Sequence, residues 1–134
     1  MKRIHFLFIL VLLGFSNCGK DNFYDRFVPE ILYYQNADVE NANFTEIQLT
    51  TGQTDWMVKA RVSAPMKLKE IKVFKITGST SETLLQTYND FQLSPNVYKV
   101  NYTLTGITTE TTVKILATDA DNKSSTKNFK IKVP

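Results

Sequence analysis

From Pro29 onward, apolar residues recur at every second position, in short runs separated by Gly, Pro, Asn, Asp and Ser. WMVKARV is the cleanest run: Trp56, Val58, Ala60 and Val62 share one phase, and Met57, Lys59 and Arg61 the other. A period of two belongs to a β-strand with one buried face, because successive side chains point to opposite sides of the sheet. The same pattern predicts strands over Glu30–Gln35, Phe44–Thr50, Leu68–Ile76, Glu82–Tyr88, Val97–Leu104, Glu110–Ala117 and Lys127–Val133. Thr51–Gln53, Ala64–Pro65, Thr77–Ser79, Ser94–Asn96 and Asp119–Lys123 supply the turns. The phase slips at Val73–Phe74, which suggests a bulge or burial on both faces. The Glu82–Tyr88 run is short and reads as an edge strand. No stretch of this region keeps a helical period. Strands of this length and spacing predict an all-β fold, an Ig-like antiparallel β-sandwich of seven to eight strands.

The N-terminus follows different rules. Met1 to His5 is basic, Phe6 to Phe15 is apolar apart from Gly14, and Ser16-Asn17-Cys18 follows. A charged segment, an apolar run of about ten residues and a short polar end have the order of a secretory signal. The run is about half of what a bilayer-spanning helix needs. Cys18 is the only cysteine of the chain, so an internal disulfide is ruled out and apolar packing must hold the domain. With 43% hydrophobic and 12% aromatic residues, the chain has material for such a core. The formal charge is +3; setting aside Lys2 and Arg3 leaves 14 basic residues against 13 acidic, a balance of +1. That balance carries no electrostatic footprint for nucleic acid.

GFSNC, ending at Cys18, resembles the signal of bacterial lipoproteins, in the looser form typical of the Bacteroidota. Phe15 and Asn17 stand where the strict form has a Leu-like and a small residue. The resemblance implies cleavage before Cys18 and a lipid on its sulfur. The following GKDN, with Asp21 its one acid, is similar to the short signal that sends such lipoproteins to the outer surface. The organisation expected is a signal over 1–17, a lipidated N-terminus and tether over 18–28, and a β-sandwich over 29–134. The implied location is the bacterial outer membrane, lipid-anchored, on the cell surface rather than the periplasmic face. The run from LKEIKVFKI to TTVKILATDADNKSSTKNFKIKV resembles the Ig-like domains of Bacteroidota outer-membrane lipoproteins, those of the starch-utilisation type among them. Its closing hairpin is also similar to cadherin-like and PKD-like modules. The resemblance implies a non-catalytic binding or spacer module associated with glycan capture. The alternative is a structural or adhesive module that contacts an envelope protein through a sheet edge.

Chemistry is sparse in the sequence. His5, the only histidine, falls in the signal, and no Gly-rich phosphate loop is present. Neither a nucleophilic triad nor a Cys/His metal site can be assembled, so no enzyme and no cofactor are expected. Two constellations remain. Asp119, Asp121 and Asn122 are hard oxygen donors at close spacing, the kind calcium takes, although a hairpin turn asks for the same residue types. Calcium needs about six to eight oxygens, and the loop would have to borrow Asp38 or Glu40. For a glycan, exposed rings act as stacking platforms; the candidates are Tyr33, Tyr34, Tyr88 and Phe91. Tyr33 and Tyr34 are neighbours, so one of them must face outward. Trp56 is assigned to the core by its phase with Val58, Ala60 and Val62.

Overall fold

The structure is a computed structural model and describes residues 26–36, 38–79 and 81–134. The signal, Cys18 and residues 19–25 of the tether lie outside the described residues. Among the described residues nine strands form: β1 (Glu30–Asn36), β2 (Val39–Glu40), β3 (Glu46–Gln48), β4 (Trp56–Ser63), β5 (Leu68–Thr77), β6 (Ser81–Tyr88), β7 (Val97–Leu104), β8 (Thr111–Asp119) and β9 (Ser124–Lys132). They make a β-sandwich of two sheets, ordered β2-β1-β4-β7 and β3-β9-β8-β5-β6.

The alternation read from the sequence is what closes the sandwich. From the first sheet, Ile31, Tyr33, Val58, Ala60, Val62 and Val100 turn inward; from the second, Ile71, Val73, Val113, Ile115, Ala117, Phe129 and Ile131 meet them. Fully burying a Val or Ile side chain contributes about 1.5–3 kcal/mol. These residues therefore hold the domain without a disulfide. Tyr33 adds a polar tie between the layers, its hydroxyl donating to the Lys127 carbonyl on β9 at 2.8 Å. Its ring lies 4.9 Å from that of Phe129.

Three features differ from the expected plan. Strand β2 is an addition, two residues long and therefore too short to show a period. Strand β3 is shorter than Phe44–Thr50 and runs parallel to β9, with Ile47 opposite Ile131. After leaving the first sheet at β2, the chain thus stitches itself onto the second. The register slip beside Val73–Phe74 is present, but the additional residue is Leu85 on β6: Val73 faces Gln86 and Phe74 faces Leu84. A second slip, at Lys69 on β5, adjusts the start of that strand against β8.

Candidate functional site

Strand β1 pairs with β4 only from Glu30 opposite Ser63 to Tyr33 opposite Ala60. Beyond Tyr33 it turns to β2, with Tyr34 opposite Glu40 and Asn36 opposite Val39. Among the described residues, no strand pairs with the edge of β4 that β1 leaves between Trp56 and Lys59. A sheet that splits in this way opens a notch. Here it is a cleft of about 170 Å³ lined by Tyr34, Gln35, Asn36, Trp56, Met57 and Lys59. Tyr33, Phe44 and Phe129 fill the space beneath it, so the floor is aromatic and closed.

The rim is ordered by charge. Arg61 Nε donates to Glu40 Oε1 at 2.7 Å, its Nη2 to Glu30 Oε2 at 3.2 Å and its Nη1 to Ser63 Oγ at 2.8 Å. Glu40 also accepts the Tyr34 hydroxyl at 3.2 Å, which fixes the ring at the mouth of the cleft. The hydrogen bond from Arg61 holds the Glu40 carboxyl below its ordinary range, and the same bond raises the guanidinium. Desolvation, helped by Glu40, pushes the Tyr34 phenol up, so Tyr34 is neutral at physiological pH. Lys99 Nζ stands 5.7 Å from the centre of the Tyr34 ring, a cation–π contact. Lys59, by contrast, has no carboxylate partner among the described residues.

The aromatic candidates separate. Tyr33 and Phe91 are buried, 1% and 7% exposed: Tyr33 shares the core phase of β1, and Phe91, in the loop after β6, packs against Tyr98. Tyr34 is half-buried at the cleft. Tyr88 is half-buried on the opposite flank, at the β6 edge, 5.2 Å from Tyr98, which in turn meets Phe91 edge-on at 5.3 Å. A shallower hollow of about 160 Å³ opens beside this second cluster, under the fully exposed Leu93. No two of the four candidates form one exposed platform. Trp56 packs against the core, as its phase requires, yet one side of it reaches the cleft. The outward direction of Lys59 and Arg61 was legible from the alternation; their meeting with Tyr34 and Glu40 depends on pairings between distant strands.

The acidic hairpin works as a turn. Asp119 is fully buried, and its Oδ1 accepts the backbone N–H of Asp121 at 2.9 Å and of Lys123 at 2.8 Å. Asn122 takes a left-handed conformation (φ 64°) and its side-chain oxygen accepts from Lys69. Asp38 and Glu40 lie with β2, at the other end of β1 from this hairpin, so they supply it no oxygens. Among the described residues, no three His, Cys, Asp or Glu side chains gather where they could hold a metal.

No family model matches the chain, and no curated protein does so. Solved structures do. Superoxide reductase (neelaredoxin) from Ignicoccus hospitalis aligns over 81% of this chain and 81% of its own, at a TM-score of 0.50 and 13% identity. Two variants of that protein align over 80% of each chain at 14% identity, with TM-scores of 0.49 and 0.48. The β-sandwich is thus shared with superoxide reductase at the level of fold.

This finding corrects several expectations. The resemblance to Ig-like domains of Bacteroidota lipoproteins is contradicted by the likeness to superoxide reductase. Of the description that came with that resemblance, only the β-sandwich stands. The non-catalytic binding or spacer module, with its glycan capture or sheet-edge adhesion, rested on it and goes with it. The expectation of no enzyme falls as well, because the similar fold carries the name of one. A scaffold does not decide whether chemistry happens on it. The same holds for the expectation of no cofactor save calcium. A redox centre on this fold would draw on His, Cys and carboxylate ligands. The chain's one His and one Cys, His5 and Cys18, lie outside the described residues, and the described ones do not fit such a centre.

Proposed function

We propose that the chain is a membrane-attached domain facing the bacterial envelope, held by a lipid on Cys18. The observation that carries this reading is the placement of the only cysteine directly behind a basic, then apolar, N-terminal run. A cysteine with no disulfide partner is well used for covalent attachment. Each buried CH₂ of a lipid contributes roughly 0.8 kcal/mol, so several acyl chains anchor stably. No helix among the described residues is long and apolar enough to cross a membrane. The Pro29 carbonyl accepts from the Ser125 hydroxyl on β9, which sets the start of β1 beside the β8–β9 hairpin. In a bacterial host, the full chain should sediment with membranes and incorporate labelled palmitate, and Cys18→Ser should do neither. A processed Cys18→Ser protein that still sediments with membranes refutes the anchor.

The shared fold favours a second reading, a redox domain that consumes superoxide. It stands on the likeness of fold and not on a metal site among the described residues. Full-length protein supplied anaerobically with ferrous iron would have to retain it in stoichiometric amount and accelerate superoxide loss. Protein that does neither sinks this reading while leaving the membrane reading untouched.

A further inference from the structure

We propose that the cleft between β1 and β4 binds a small aromatic carboxylate. The inference goes beyond membrane attachment and does not depend on it. Clefts that hold drug-sized ligands run to about 300–1,000 Å³; this one, at about 170 Å³, has room for a single ring with its substituents. Two of its lining residues, Tyr34 and Trp56, are aromatic. Flat, apolar walls with polar edges favour another flat ring, stacked or edge-on.

Charge selects among flat ligands. Lys59 lines the cleft without a carboxylate partner among the described residues, and Lys99 Nζ stands over the Tyr34 ring. Of the nearby acids, Glu40 and Glu30 are both held by Arg61, and Asp38 faces the Tyr34 side of the cleft and makes no ion pair with Lys59. An aromatic cage for a cationic ligand needs rings without competing ammonium groups, and two lysines argue against it. A carboxylate, by contrast, would complete the ion pair that Lys59 lacks. The Gln35 and Asn36 amides border the same cleft and can donate hydrogen bonds to it. The edge of β4 left unpaired by β1 adds backbone groups that no strand covers among the described residues.

Trp56 is the only tryptophan of the chain and lines the cleft, so the site carries its own reporter. Full-length protein in detergent would be titrated with 4-fluorobenzoate, followed by fluorine NMR and by Trp56 fluorescence. The expected result is saturable binding with a Kd of about 1 mM or tighter, and roughly tenfold weaker binding of uncharged 4-fluorobenzyl alcohol. Lys59→Met should weaken 4-fluorobenzoate roughly tenfold and abolish the preference over the alcohol. Tyr34→Leu should weaken both probes alike. Lys130→Met, on the outer side of the second sheet, should change neither. Absence of saturation at about 10 mM overturns the proposal. So does a Lys59→Met protein, folded by its thermal transition, that binds 4-fluorobenzoate as the wild type does.

Discussion

The Tyr33 hydroxyl joins the two sheets, and removing it should have opposite effects at neutral and alkaline pH. At neutral pH Tyr33→Phe loses the 2.8 Å bond to the Lys127 carbonyl. A net loss of about 1 kcal/mol follows, or about 4 °C in Tm for a domain of this size. Burial pushes the phenol well above its ordinary value of 10.0, so the folded state keeps the proton when the unfolded chain gives it up. Its contribution is therefore whole below pH 10 and is lost as pH rises through the alkaline range. Each unit above that point costs about 1.4 kcal/mol while the folded phenol stays protonated. At pH 11.5 the wild type has lost roughly 2 kcal/mol through this group, and the phenylalanine variant none of it. The order of stability should therefore reverse: the variant is weaker by about 1 kcal/mol at pH 8 and stronger by a similar amount at pH 11.5. Tyr34 and Tyr88, whose phenols are also raised, are common to both proteins and drop out of the difference. Urea unfolding followed by Trp56 fluorescence, across this pH range, reads the crossing directly. A stability gap that stays constant with pH would refute the reasoning.

Two further substitutions test the turns. Lys67 holds φ 67°, a left-handed conformation that costs a side-chain-bearing residue roughly 1–2 kcal/mol, so Lys67→Gly should raise stability by about 0.5–1 kcal/mol in urea unfolding. Asp119→Ala should lower it by about 2–3 kcal/mol, since two backbone N–H groups lose their acceptor, whereas Asp119→Asn keeps that oxygen and should cost about 1 kcal/mol or less.

Alternation made the strands legible because it is a local property. Val97–Leu104 forms over the range that the pattern predicts, and Phe129 and Ile131 point inward as their phase requires. The burial of Tyr33 follows from its phase with Ile31, which leaves Tyr34 on the outside. Pairing was not legible. Nothing near Glu46 indicates that its partner will be Lys130, 84 positions along the chain, or that the two strands will run in parallel. The cleft was hidden for the same reason. It exists because β1 leaves β4 after Tyr33, and the sequence around Tyr33 shows an unbroken strand. The outward lysines were visible, but their company was not. The hairpin acids were visible too; that Asp119 Oδ1 is spent on two backbone N–H groups follows only from the turn's geometry.

The parallel pairing of β3 with β9 has a mechanical meaning. A chain held at its N-terminal side and pulled from Pro134 draws these two strands in opposite directions along their common axis. Glu46, Ile47 and Gln48 face Lys130, Ile131 and Lys132 in register. The backbone bonds that flank them, Lys130 N to Thr45 O and Leu49 N to Lys132 O, lie across the line of pull. Load then falls on all of these bonds together rather than on one after another. Strand β3, which gives the core only Ile47, is thus a clamp that such tension loads in shear.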